Sequence, residues 1–291
     1  MINQTSKVSS RITLDVIGVN GHVRHTLKFQ NIMTNHGLDS WTKGALGTHI
    51  ALGSGSRTEL PSVTDLAGFV RTDTGSYTYT NTNFVDEANG VMRSDHVLNV
   101  TFPIESSAQN YSELGIHNNN PNELQTYARI RDPIGEPTSV GVQVGERVRV
   151  SYVVQFSTAL VSVEQGLIGG VLTDITTIPL ATGATNAIRL PNAISSAVRF
   201  WAAGQDIPSA GVAPTGGVAT PTTPFINNGS YVLSAQLVEL NLTGGISLVR
   251  MGGTSNNVGI MCHFDPPINK NDKNSLAINV TCSLSNGVFY A

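Results

Sequence analysis

Charge is scarce in this sequence: Asp, Glu, Lys and Arg make up 13% of its 291 residues, against roughly 25% in ordinary soluble domains. The surface must therefore be built largely from hydroxyls, amides and glycine. Such a surface repels its neighbours weakly, which suits a subunit packed in an assembly and equally a neutral-surfaced monomer. The 17 basic residues are scattered and the net charge is −3, so nucleic acid is not an expected partner. Cysteine is nearly absent. Cys262 and Cys282 are too few for a disulfide scaffold and read as buried free thiols, with a bridge between neighbouring strands as the alternative. No apolar run approaches the roughly 20 residues that span a bilayer, so no membrane insertion is expected. The opening MINQTSKVSS has no apolar signal-peptide core, which points to folding in the cytoplasm where the chain is made. Residues 1–10 read as a flexible N-terminal arm. No repeat or heptad is evident, which argues against a coiled-coil shaft.

Enzyme signatures are missing too. There is no HExxH, no GxSxG elbow, no CxxC and no dinucleotide fingerprint after a strand, so the expectation is a non-enzymatic chain without catalytic residues, cofactor or metal. His22 and His25 are three residues apart, on opposite faces of a strand, which makes a poor chelate. The turn at GSGS (residues 53–56) lacks the GxxxxGK[ST] pattern and reads as a tight turn instead of a phosphate cradle. Asp265, Asn269, Asn271 and Asp272 lack the glycine and terminal Glu of a calcium loop and read as a solvated turn.

What is present is β patterning. GERVRVSYVVQF sets Val148, Val150, Tyr152, Val154 and Phe156 on one side of a strand, and VLNVTFPI sets Leu98, Val100, Phe102 and Ile104 on one side of another. Asn20-Gly21 between two alternating runs predicts a hairpin over 11–30. Residues 34–47 carry a short helical period through Leu38, Trp41, Ala45 and Leu46. Residues 69–87 read as an exposed strand pair with Tyr77 and Tyr79 on one face, and Asp132-Pro133 with Gly135 as a hairpin turn. After Phe156 the chain becomes apolar and uncharged over long spans, as if packed against something other than water. NAISSAVRFWAAG fits two periods, a helix through Ile194, Ala197, Val198 and Trp201 or a strand through Val198, Phe200 and Ala202, and its brevity and surroundings favour the strand; Thr243-Gly244-Gly245 reads as a hairpin turn. The fold class expected is all-β: antiparallel β-sandwich or jelly-roll-like domains with one or two short helices at most. One domain is expected over 11–158, and a second, β-rich, over 159–291 with an extended Pro/Gly/Thr loop at 204–224.

The succession NIMTNHGLDSW, IALGSGSRTELPSVTDLAGFV, YSELGIHNNN and LQTYARIRDPIGEPTSVGVQVGERVRVSYVVQF, over about residues 31–156, resembles a module of tail, fibre and other structural proteins of tailed bacteriophages. The resemblance implies an assembled virion part and carries no catalytic residues across. It makes the expected function that of a structural subunit in a tail, collar or fibre. Such a subunit would self-associate, as a trimer or as a hexameric or dodecameric ring, and pack on other virion proteins. Capsid decoration or a head fibre is a further alternative within that class.

Three residue groups stand out as candidate sites. Glu113 falls in a strand covered on both faces and needs a partner, for which Arg129 or Arg131 would serve in a structural ion pair. A general-acid role for it would require a second acidic group that the sequence does not place. Tyr77 and Tyr79, with His117, Asn118, Asn119 and Asn120 on a loop, are candidate contacts for a host surface glycan. They define the alternative function, a carbohydrate-binding adhesin; a glycan hydrolase is disfavoured because no acidic pair stands out.

Overall fold

The computed structural model describes residues 2–42, 47–181, 197–204, 218–220, 225–227, 230–237, 244–252, 258–269 and 276–287. The chain is all-β, with a single helix among the described residues. The strands before residue 160 are β1 (Ile2–Ile17), β2 (Val23–Phe29), β3 (Ile32–Met33), β4 (His49–Gly53), β5 (Phe69–Thr74), β6 (Ser76–Asp86), β7 (Val91–Thr101), β8 (Gln109–Tyr111), β9 (Glu113–His117), β10 (Thr126–Arg129), β11 (Val140–Val142) and β12 (Arg147–Ala159). Helix α1 spans Asn35–Thr42. The later strands are β13 (Ser162–Ile168), β14 (Val171–Ala181), β15 (Ala197–Ala202), β16 (Val218–Thr220), β17 (Phe225–Asn227), β18 (Ser230–Leu237), β19 (Ile246–Gly252), β20 (Val258–Ile268) and β21 (Leu276–Asn286).

An eight-stranded sheet runs β17-β18-β21-β1-β12-β7-β6, with β2 also on β1. Its inner face buries Val148, Val150, Tyr152, Val154 and Phe156 of β12, as their alternation predicts, beside Leu98 and Val100 of β7. Ile104, placed in that same row by the pattern, is exposed, because β7 ends at Thr101. Against this face packs a five-stranded sheet, β3-β10-β9-β4-β5, contributing Ile50, Leu52, Leu114, Ile116 and Ala128 to a common core. Helix α1 closes one side with Trp41, whose ring lies 5.3 Å from that of Phe156. Thr34 caps the helix: its Oγ1 accepts from Gly37 N at 2.9 Å. The helix can approach β10 only because residue 37 is glycine; a Cβ there would stand 1.8 Å from the Gln125 carbonyl oxygen.

The N-terminal arm is not an arm. Residues 2–10 belong to β1, which pairs antiparallel with β12 and, over Ile2–Val8, parallel with β21. Polar composition concealed the strand because its buried row is partly hydroxyl: Ser6 donates to Thr158 Oγ1 at 3.0 Å and Ser10 donates to Asn31, so these small polar groups enter the interior satisfied. From Ile12 onward the same row is Ile12, Leu14 and Val16, all buried. The expected hairpin is present: β1 pairs with β2 around Gly21, whose φ is +80°.

The division at residue 158 also fails. Strands β17, β18 and β21 extend the same sheet as β1 and β12, so the second half of the chain completes the first. What the second half builds on its own is a six-stranded sheet, β13-β14-β20-β19-β15-β16. Strand β16 falls inside the expected 204–224 loop, of which 205–217 and 221–224 lie outside the described residues. Of the expected hairpin about Thr243-Gly244-Gly245, residues 238–243 lie outside the described residues, and the described strands on either side do not pair with each other: β18 belongs to the eight-stranded sheet and β19 to the six-stranded one. Residues 69–87 likewise form no mutual pair: β5 pairs with β4, β6 with β7, and the chain changes sheet at Gly75. Asp265, expected in a turn, lies in β20, where the register jumps from Ile246↔Ile268 to Leu248↔His263. Asn271 and Asp272 lie outside the described residues.

Candidate functional site

Strand β9 is buried along its whole length because both faces of the five-stranded sheet are covered. Leu114 and Ile116 enter the main core; the other face, with Tyr127 and Ala51, lies under the 54–68 segment through Val63 and Leu66. Glu113 is on that second face and is completely buried. Its Oε1 accepts from Gly68 N at 2.7 Å and Gly55 N at 3.2 Å, and its Oε2 accepts from the Tyr127 hydroxyl at 2.9 Å. The glycines make room: a Cβ at Gly53 or Gly55 would stand 2.7 or 2.6 Å from Oε1. One backbone N–H of the GSGS turn, that of Gly55, thus meets the protein's own carboxyl group, and the second comes from Gly68 at the far end of the 54–68 segment.

The expected ion pair is therefore corrected. Arg129 is the cross-strand partner of Glu113, yet neither it nor Arg131 bonds to that carboxylate. Arg131 instead pairs with Glu59 and donates to Gly135 O at 2.7 Å, while the Arg129 backbone N–H donates to Glu59 Oε1 at 2.9 Å. The backbone N–H groups of Gly55 and Gly68 and the Tyr127 hydroxyl take the Glu113 oxygens instead. Tyr127 is held above its ordinary pKa by burial and by its bond to Glu113. Two amides and a phenol occupy the carboxylate, so Glu113 works as a tie between β9, β10 and the 54–68 segment.

His117 is corrected as well. It is the last residue of β9, 1% exposed, and not part of a loop surface. Its ring stacks on His49, directly opposite in register, with centroids 5.1 Å apart, and its Nε2 lies 2.8 Å from Thr72 Oγ1. Burial, then the neighbouring His49, pushes its pKa down to about 4, so the ring is neutral at pH 7. Asn118, Asn119 and Asn120 follow it as an exposed loop, where Asn120 Oδ1 accepts from Asn122 N at 3.1 Å. Tyr77 and Tyr79 are in β6, opposite Leu98 and His96 in the other sheet; their side chains lie outside the described residues. The tyrosines and the asparagine loop thus belong to different sheets.

Two buried polar networks tie the layers together. The Tyr152 hydroxyl donates to Thr126 Oγ1 at 2.8 Å and accepts from Asn31, which also receives Ser10, so one chain of bonds crosses from the eight-stranded to the five-stranded sheet. Glu105 accepts from Arg71 and from Tyr111, each at 2.7 Å, with the Arg71 guanidinium 5.5 Å from the centre of the Phe102 ring. Among the described residues no group of three or more His, Cys, Asp or Glu side chains is placed to hold a metal. Cys262 is a buried free thiol in β20, pushed up to about 12 chiefly by burial; Cys282 is in β21 of the other sheet, so their strands are not neighbours.

The described residues place their most unusual surface in the β13–β14 hairpin, which sequence reasoning did not resolve. Its Gly169-Gly170 turn, between apolar residues, was the available signal. Leu167 is 74% exposed, Val163 62% and Leu172 59%, with Val161 and Val171 beside them. A polar bond between Gln165 Nε2 and Asp174 Oδ1, 2.7 Å, sits among them. No protein-family model, curated protein or solved structure matches the chain.

Proposed function

We propose that this chain is a non-enzymatic structural subunit of a tailed-phage virion, a tail, collar or fibre component that associates with copies of itself and with neighbouring virion proteins. The observation that carries the reading is the apolar hairpin surface around Val163, Leu167 and Leu172, on a chain with little charge to keep copies apart. The module resemblance over about residues 31–156 supports it. The buried polar groups fit the same reading, because Glu113, Glu105 and Tyr152 spend their bonding capacity inside the protein, where a framework needs it. Binding would come from packed area more than from charge.

Light scattering after size exclusion at several concentrations tests the self-association: a mass that reaches a multiple of 30.8 kDa within the range supports it, and a mass of 30.8 kDa at every concentration counts against it. The adhesin alternative keeps the exposed Asn118–Asn120 loop but loses His117 to the interior. Glycan-array binding abolished by replacing Asn118 and Asn119 with Ala would favour it.

A further inference from the structure

Strand β13 is an edge: among the described residues its strand neighbour is β14 alone. The two are joined by Gly169-Gly170, with φ of +60° and +83°, closed by Ile168 opposite Val171. The pair closing a two-residue hairpin is hydrogen-bonded, and bonding alternates from there. Ser162, Glu164, Gly166 and Ile168 therefore turn their backbone groups to β14, while Val163, Gln165 and Leu167 turn theirs to the open edge. The side chains of those same three residues share the exposed face. Edge strands are ordinarily guarded by lysine, proline or a bulge. Strand β13 has none of these: its register with β14 runs unbroken from Ser162 to Ile168, and its one charged residue, Glu164, is on the other face.

We propose that β13 pairs antiparallel with β13 of a second copy of this chain, about a two-fold axis through Gln165. In that register Val163 of each copy meets Leu167 of the other, Gln165 meets Gln165, and Glu164 meets Gly166. About six backbone hydrogen bonds form, because the residues whose groups point outward are the ones brought opposite each other. Moving the axis one residue toward the N-terminus sets Glu164 against Glu164, and moving it one residue the other way sets Leu167 against Gln165. The register through Gln165 alone joins the two strongly exposed apolar residues and separates the two acids. This deepens the self-association proposed above and rests on it, adding that the contact is isologous, so copies associate in even numbers through this surface. A seven-residue edge is a small contact, so dimer formation is expected to rise with concentration.

The test uses the full chain, untagged. Wild type should move from 30.8 kDa toward twice that mass over a roughly hundredfold rise in concentration. The double variant Val163→Lys/Leu167→Lys should stay at the monomer mass with unchanged circular dichroism and Tm, since both positions are solvent-exposed. Gln165→Cys should cross-link to itself under mild oxidation, because Cα atoms of a hydrogen-bonded antiparallel pair lie about 5.5 Å apart, within disulfide reach. Glu164→Cys, opposite glycine, should not. A multimer that survives in the lysine variant, or equal cross-linking at 164 and 165, overturns the β13 pairing while self-association stands. A wild-type chain that remains monomeric throughout overturns both.

Discussion

Replacing Glu113 separates an amide cradle from an ion pair. In Glu113→Ala the N–H groups of Gly55 and Gly68 lose their acceptor inside the protein, and each buried donor left unpaired costs about 1–3 kcal/mol. Tyr127 is relieved, because its hydroxyl can turn to the Arg57 carbonyl oxygen, 3.3 Å away. With the lost side-chain volume, the expected destabilisation is about 4 kcal/mol. Glu113→Gln is different. Its amide oxygen accepts both glycine N–H groups, its NH2 faces the Tyr127 oxygen, and the phenol hydrogen swings to Arg57, so stability stays within about 1 kcal/mol of wild type. Arg129→Ala is expected to cost less than about 1 kcal/mol, since that guanidinium makes no bond to Glu113. The assay is urea unfolding at pH 7, followed by fluorescence with m held as a check on two-state behaviour. The reasoning is refuted if Arg129→Ala costs as much as Glu113→Ala, as a buried ion pair would require, or if Gln is as damaging as Ala.

Stability should also fall with acid through His117. The ring stays neutral in the folded protein down to about pH 4, whereas the unfolded chain takes up the proton near 6.5. The contribution is full above pH 6.5 and is lost as pH falls from there to about 4, about 3 kcal/mol in all at roughly 1.36 per unit; unfolding free energies across that range, compared with His117→Gln, should show the slope flatten. Gly37→Ala tests the helix approach by sign: helix propensity alone favours Ala by about 1 kcal/mol, but the Cβ would meet the Gln125 carbonyl at 1.8 Å, so a net loss of about 2 kcal/mol is expected by thermal unfolding. Tyr152→Phe leaves Asn31 and Thr126 without their shared phenol and should cost about 2 kcal/mol, measured in the same way.

The β character, the inner faces of β7 and β12 and the Asn20-Gly21 hairpin were legible because each rests on a short-range rule: a period of two, or a turn dipeptide. The beginning of β1 was not, since Ser6 and Ser10 are polar by type and buried only because Thr158 and Asn31 wait for them across long stretches of sequence. The same holds for Glu113. That it needed a partner could be read from its apolar neighbours, but the partners are backbone groups of Gly55 and Gly68, which carry no side-chain signature. His117 failed for a boundary reason: it sits next to three asparagines and reads as loop, while its own register partner, His49, holds it in the sheet.

The sheet change at Gly75 follows from how little chain separates the two strands. Consecutive strands pair or neighbour one another about two-thirds of the time, so a hairpin was the natural reading of residues 69–87. Yet β5 ends at Thr74 and β6 begins at Ser76, and the shortest common hairpin loop has two residues. One residue cannot reverse the chain; it can only bend it. Gly75 is where the bend passes closest to other backbone, since a Cβ there would lie 2.5 Å from the Asn99 carbonyl oxygen. The chain therefore continues forward out of the five-stranded sheet and onto β7. That single step carries Tyr77 and Tyr79 into the eight-stranded sheet and leaves Asn118–Asn120 at the end of the other. A glycan platform combining them would have to bridge the sandwich, whereas the β13 edge offers a second copy a continuous strand.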